Sequence, residues 1–394
     1  MGGDSFTEIT GQSWGSRLLD SIKGILFGIV LVGVAFVLLF WNEGRTVRVA
    51  KSLAEGASAV VSVSSDRVDA ASEGKLVHMT GEATTTETLS DLEFGVSVPA
   101  IKLERRAEMY QWKEEKKSQT RSKLGGGSET VTTYSYSQAW SPQLIQSSSF
   151  KERTGHENPH DMPIKTQTRT AKKVTLGAFT LSEAQVDLLN KVEDFSLDEK
   201  AAAASPPAAK TGFNFRDGGY YKGADPSAPA IGDVRVTFQV VQPATVSIVA
   251  RQISDTFEPY QAKAGGSILL VTYGTVSADS MFKTEEESNT TLAWATRLVG
   301  FFMMAFGIFL VFRPFEVVAD VLPIFGTLVG AGIGLFAGVG GLCLTVVTIA
   351  LSWLFFRPLL GIGLLVLAVA GLAGLIHLGR KRKEQRLAAR AATT

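Results

Sequence analysis

The sequence predicts a multi-pass α-helical membrane protein with four spans and a large extracytoplasmic α+β domain dominated by strands. Three observations carry that prediction. Residues 321–376 hold one charge, Arg357, and residues 292–312 hold only Arg297. A further apolar run, 24–41, lies near the N terminus. Between these runs, short β-branched stretches alternate in polarity and end in turn residues, which is the pattern of strands. A hydrocarbon core about 30 Å thick takes roughly 20 apolar residues of helix, so the C-terminal runs form a membrane anchor.

Composition narrows the function classes. The 394 residues carry a net charge of +1, so no global field draws the chain to nucleic acid. The single cysteine, Cys343, lies inside the apolar block, which excludes a disulfide framework and a cysteine-rich zinc site. The N-terminal apolar run is followed by Asn42-Glu43-Gly44-Arg45, without the small-x-small pattern of a signal-peptidase site, so it reads as a retained span with Trp41 at the interface.

In chain order, 1–23 is a polar, Gly/Ser-rich tail expected in the cytoplasm, and 24–42 is the first span. Residues 43–291 form the extracytoplasmic or lumenal domain, opening with an amphipathic helix over 45–63 (Val47, Ala50, Leu53, Ala57 and Val60 on one face). Strands follow at 76–83, 94–98 and 101–112. The charged stretch 113–123, ending in Gly125-Gly126-Gly127, reads as an exposed hairpin tip whose partner is 130–136. Residues 147–163 are loop. Ser182 and Gln185 form a capping box for a helix over 182–195. The Ala/Pro tract 201–210 is a tether or insertion. Strands return at 234–240, 245–250 and 268–273, and 281–289 is a helical lead into the second span, 292–312.

At this point the chain resembles a family. Leu39-Phe40-Trp41-Asn42-Glu43-Gly44-Arg45, Met109-Tyr110-Gln111-Trp112, Tyr134-Ser135-Tyr136 with Trp140, and Gly155-His156-Glu157-Asn158-Pro159 are similar to segments of the transmembrane protein 43 (LUMA) family. So are Gly232-Asp233-Val234-Arg235-Val236, Val249-Ala250-Arg251-Gln252 and Trp353-Leu354-Phe355-Phe356-Arg357-Pro358. The resemblance implies four spans, both termini in the cytoplasm, a large lumenal or extracytoplasmic domain, and self-association. In animal members it implies the endoplasmic reticulum and inner nuclear membrane, with emerin and lamins as partners. It supplies no catalytic motif and no cofactor. The Ala/Gly-rich anchor points instead to a prokaryotic member in a bacterial inner membrane. The tract 201–210 departs from the family pattern.

Charge placement gives the topology independently. Arg380, Lys381, Arg382, Lys383, Arg386 and Arg390 make 378–394 a basic cytoplasmic tail. The flanks of the first span taken alone favour the reverse orientation, but long domains translocate largely regardless of charge. Arg357-Pro358 marks a turn between a third span, 334–356, and a fourth, 358–377. Residues 313–333 are then a cytoplasmic-side loop and an interfacial or re-entrant segment. The alternative is a break at Gly340-Gly341 that adds a fifth span and places the basic tail outside.

The candidate sites are few. Gly326, Gly330, Gly334 and Gly338 recur every four residues, a spacing that lets a second helix backbone approach closely, for oligomerisation or for packing within one chain. Trp41, Arg297, Arg313 and Arg357 are expected as interfacial anchors. His156, His160 and Asp161 lie close enough to hold a metal, although a loop built on Asn158-Pro159 is the simpler account. Asn289-Thr290-Thr291 is a glycosylation sequon too near the bilayer for modification. The expected function is a non-enzymatic membrane scaffold that binds no cofactor or nucleic acid, self-associates in the bilayer and organises membrane or envelope partners. The alternatives are an oligomeric ion channel or channel modulator, and a membrane enzyme with a metal near His156 and His160.

Overall fold

The computed structural model describes residues 4–197, 212–363 and 366. The predicted tract 201–210, most of the predicted fourth span and the basic tail lie outside the described residues. The chain divides into a strand unit (1–11, 52–121 and 128–285) and a helical unit (12–51, 122–127 and 286–394).

The strand unit holds an eight-stranded and a seven-stranded sheet. The first begins at its edge with β1 (Ser5–Gln12) and runs through β2 (Ser128–Ser141), β3 (Lys102–Ser122) and β4 (Val234–Val241). The second centres on β5 (Leu76–Thr84) paired antiparallel with β6 (Ala244–Ile253), from Ala83 opposite Ala244 to Leu76 opposite Arg251. Strand β4 shows why the sequence pattern works. Val234, Val236, Phe238 and Val240 are buried in alternation with outward Arg235, Thr237 and Gln239. Inside, Phe94 meets Phe213, Tyr220 and Phe238 at ring-centroid distances of 5.3, 5.1 and 6.0 Å. Arg105 is buried beside them, 3.1 Å from Asp91 and 2.6 Å from Glu93, so its charge has local partners.

The helical unit contains three helices long and apolar enough to cross a membrane among the described residues. Helix α1 (Trp14–Ala59) begins in this unit and ends in the strand unit; α3 (Ala278–Ala319) begins in the strand unit; α4 is Pro323–Phe356. The short α2 (Glu183–Leu188) belongs to the strand unit. Backbones come together at small residues. A Cβ on Gly28 would lie 2.6 Å from the Gly307 carbonyl oxygen, and one on Gly341 would lie 2.7 Å from the Ala305 Cα. Ala35, Leu39 and Met304 form the buried centre.

Several elements differ from expectation. The first span and the amphipathic helix after it are one continuous α1, since nothing between Trp41 and Arg45 breaks the ladder. The helical lead expected at 281–289 is present, as the first turns of α3. Residues 5–12, expected in a cytoplasmic tail apart from the strand domain, instead form β1 in that domain's sheet, because Thr7, Ile9 and Thr10 are strand formers laid along an available edge. The hairpin strands continue through the charged stretch to Ser122, and the turn is confined to 123–127, with Gly125 and Gly126 at φ +88° and +80°. The helix expected over 182–195 keeps its capping box but stops at Leu188; residues 193–195 pair with β4 instead, Phe195 opposite Phe238. Six residues of helix are marginal alone, and the sheet offers the backbone better partners. Helix α4 starts at Pro323, so 323–333, expected as an interfacial or re-entrant segment, is continuous with the predicted third span. The turn at Arg357 is where the sequence placed it, and helix resumes at Pro358.

Candidate functional site: a polar turn among the membrane helices

The polar turn that closes the first apolar run is densely hydrogen-bonded to the other helices. Glu43 is wholly buried. Its Oε1 accepts from Arg297 Nε of α3 at 2.7 Å, and its Oε2 accepts from Arg297 Nη2 at 2.9 Å and from Trp353 Nε1 of α4 at 2.8 Å. One carboxylate thus ties three helices through charge-assisted bonds in a fork geometry that lysine could not supply. Arg297 also lies 4.7 Å from the Trp294 ring centroid. On either side, Asn42 Nδ2 donates to the Ala293 carbonyl at 3.2 Å and Asn289 Nδ2 donates to the Thr46 carbonyl at 3.1 Å. Gly44 is needed where it stands, because a Cβ there would lie 2.8 Å from the Phe356 ring.

A second knot lies at the start of α1. Buried Asp320 accepts from Arg17 Nη2 at 2.6 Å and from the Ser122 hydroxyl at 2.7 Å. Arg17 Nη1 donates to the Gly126 carbonyl, Gly125 N donates to the Val321 carbonyl at 3.1 Å, and Trp14 Nε1 donates to the Val317 carbonyl at 3.0 Å. The hairpin turn, the start of α1 and the α3–α4 turn are thereby fastened together.

The glycine register is divided. At Gly326 a Cβ would collide with the Asp320 carboxylate, and at Gly330 it would lie 2.8 Å from Glu316, so these two glycines make room for Glu316 of α3 and for Asp320 just beyond its end. At Gly334 and Gly338 no described atom lies within 4 Å of the Cβ position. Of the expected anchors, Trp41 and Arg313 are exposed and Arg357 is half-buried at the α4 terminus. Arg297 is instead drawn inward onto Glu43, a partner the sequence reading did not assign. The sequon nitrogen of Asn289 is buried against Thr46.

In the strand unit, His156 is buried and stacks on Tyr136 at 3.9 Å, with the Trp112 ring edge-on at 4.7 Å. Its Nδ1 lies 3.0 Å from the Glu152 carbonyl oxygen and its Nε2 lies 2.8 Å from Asp4, whereas His160 and Asp161 are exposed. Both ring nitrogens are engaged by the fold, and no group of three His, Cys, Asp or Glu side chains is placed to share a metal among the described residues. Asn158 is a pin: its Oδ1 accepts from Trp112 N at 2.7 Å and its Nδ2 donates to the Trp112 and Ile145 carbonyls. Gln111 does the same between Ile145 N and the Gln143 carbonyl, and Asp233 between Tyr221 Oη and Ala230 N. Burial and the bond to Glu114 push the Tyr136 hydroxyl up to about 12; burial and Asp233 raise that of Tyr221. A half-open cavity of about 250 Å³ lies beside Trp140, Tyr221 and Arg235, but Arg235 is committed to Glu108 at 2.8 Å. That volume is below the roughly 300 Å³ of ordinary ligand sites.

The profile of the family described as transmembrane protein 43 matches residues 109–358. The chain belongs to the transmembrane protein 43 family. It is 36% identical to mouse transmembrane protein 43 over 354 residues, 87% of each chain. It is 35% identical to the human protein over 368 residues, 91% of this chain and 89% of the relative, and 27% identical to the Drosophila melanogaster homolog over 350 residues. No solved structure matches it. Several residues of the motifs that resemble the family act as fasteners in this chain: Asn42 and Glu43 with Trp353 in the helices, and Gln111, Asn158 and Asp233 in the strand unit.

Proposed function

We propose that this family member is a non-enzymatic integral membrane scaffold that self-associates through α4 and gathers membrane or envelope partners around an extracytoplasmic strand domain. The observation that carries the reading is the open face at Gly334 and Gly338. Gly28, Gly307 and Gly341 are occupied by packing within the chain, whereas among the described residues no atom lies within 4 Å of a Cβ built on either of these two, which are one turn apart. In a bilayer, close backbone approach at small residues is a main source of helix association. The basic segment 378–394 supports a cytoplasmic C terminus. The side chains that most resemble machinery hold backbone rather than line a cleft, which favours a binding role over catalysis.

The test is native mass analysis of the intact protein in lipid nanodiscs, with Gly334→Leu and Gly338→Leu alongside. The expected result is a defined oligomer that falls to monomer in the variants while the thermal midpoint stays within a few degrees. A wild-type protein that is monomeric at all lipid ratios removes the proposal.

A further inference from the structure

The polar turn of α1 and the facing turn of α3 leave a set of buried atoms unsatisfied. Asn42 and Thr46 are one turn apart on α1, as are Asn289 and Ala293 on α3, and the two turns are cross-linked by Asn42 Nδ2 to the Ala293 carbonyl and Asn289 Nδ2 to the Thr46 carbonyl. Each asparagine therefore uses its amide N–H on the opposite backbone. Asn42, Thr46 and Asn289 are all more than nine-tenths buried, yet Asn42 Oδ1, Thr46 Oγ1 and Asn289 Oδ1 have no hydrogen-bond partner among the described residues. Arg45 Nη2, on the same turn, is buried and unpartnered as well. Leaving such atoms unpaired is costly, so four at one crossing, three on α1 and one on α3, call for a guest.

The donor and acceptor count selects the guest. Two amide oxygens accept only, the guanidinium nitrogen donates only, and the threonine hydroxyl does either. A metal cation would satisfy the oxygens but leave Arg45 without an acceptor, and it would bring a second positive charge beside the Arg45 guanidinium on the same turn. An anion would satisfy Arg45 and repel both amide oxygens. Water has two protons and two lone pairs, and buried waters typically make about three bonds to otherwise unsatisfied groups. We infer that α1 and α3 enclose an ordered water site, in which water donates to Asn42 Oδ1 and Asn289 Oδ1 and accepts from Thr46 Oγ1, with Arg45 as a second donor. The α1–α3 contact is then bridged by solvent at this level, not closed by direct side-chain bonds. The site stands whether or not the protein self-associates.

The experiment is magnetisation transfer from water to the side-chain amides in asparagine-¹⁵N-labelled full-length protein in nanodiscs, with thermal unfolding measured in sodium chloride, potassium chloride and choline chloride. Cross-peaks at the water frequency are expected for Asn42 and Asn289. They should persist in Thr46→Ser and weaken at least threefold in Thr46→Val, and the unfolding midpoints should agree among the three salts. Absence of both cross-peaks in the wild type overturns the inference. So does a midpoint several degrees lower in choline chloride, which would make the guest a monovalent cation. Should Thr46→Val fail to fold, the wild-type cross-peaks and the salt series decide alone.

Discussion

Replacing Glu43 with glutamine tests the polar turn at its centre. Volume and shape are kept, but the charge goes and one oxygen becomes an amide nitrogen. Three N–H groups now converge on the Glu43 oxygens. In the variant at least one faces another donor, and Arg297, only 13% exposed, is left as an unpaired buried cation. Breaking a buried pair on one side costs about 3–5 kcal/mol, and at about 2–4 °C per kcal/mol the thermal midpoint should fall by roughly 6–20 °C. Fluorescence-detected unfolding in nanodiscs suits the measurement, since Trp353 and Trp294 both report on the site. Arg297→Met should be similarly damaging. Glu43→Met with Arg297→Met should recover most of the loss, because apolar residues of matched volume replace a buried pair at little cost. Single variants within about 1 °C of wild type, or a double variant as poor as the sum of the singles, would refute the pairing argument.

Other outcomes follow from the same geometry. Gly28→Ala and Gly44→Ala should lower the unfolding midpoint, as their Cβ atoms meet the Gly307 carbonyl and the Phe356 ring, whereas Gly334→Ala and Gly338→Ala should leave it unchanged or raise it, since alanine favours helix by up to about 1 kcal/mol. Asn158→Ala removes three hydrogen bonds to Trp112 and Ile145, and denaturant unfolding followed by near-UV dichroism should show a loss of about 2–4 kcal/mol. Raising the pH should weaken the strand unit above about pH 10. The unfolded chain then releases the Tyr136 proton while the folded chain holds it up to about 12, so stability is complete below the first value and lost on approaching the second; Tyr136→Phe should flatten that limb of a pH titration of unfolding.

Strand β4 and the Arg357-Pro358 turn were legible because each rests on local chemistry: alternation in the one, a helix-starting proline in the other. The same holds for the Ser182–Gln185 capping box. The helix expected to follow it was cut short by a partner distant in sequence, Phe238. β1 was missed for the mirror reason, as its exposed residues have no apolar face to advertise and are held by an edge 120 residues away, with Tyr136 N donating to the Asp4 carbonyl. Arg297 was visible as a charge in an apolar run, and the alternative to snorkelling was a carboxylate in another span; Glu43, two residues after Trp41, was the available one. The separate fates of Gly326, Gly330, Gly334 and Gly338 could not be read from their spacing, because the identity of the neighbour, and not the period, decides them.

The length of α4 has a consequence for the lipid around it. Its 34 residues carry no charge and rise about 51 Å as a straight helix, against a hydrocarbon thickness of about 30 Å. Burying all of it by leaning alone would require about 54° from the bilayer normal, more than the 0–40° that spans adopt. Some of the excess must therefore be met by the bilayer thickening locally or by apolar turns resting among the headgroups, and Ile324 and Phe325, 83% and 57% exposed at the Pro323 end, are suited to the latter. Acyl-chain length thus acts on this protein as a thermodynamic variable. Thicker membranes should draw α4 upright and submerge its first turns, and thinner ones should expose them.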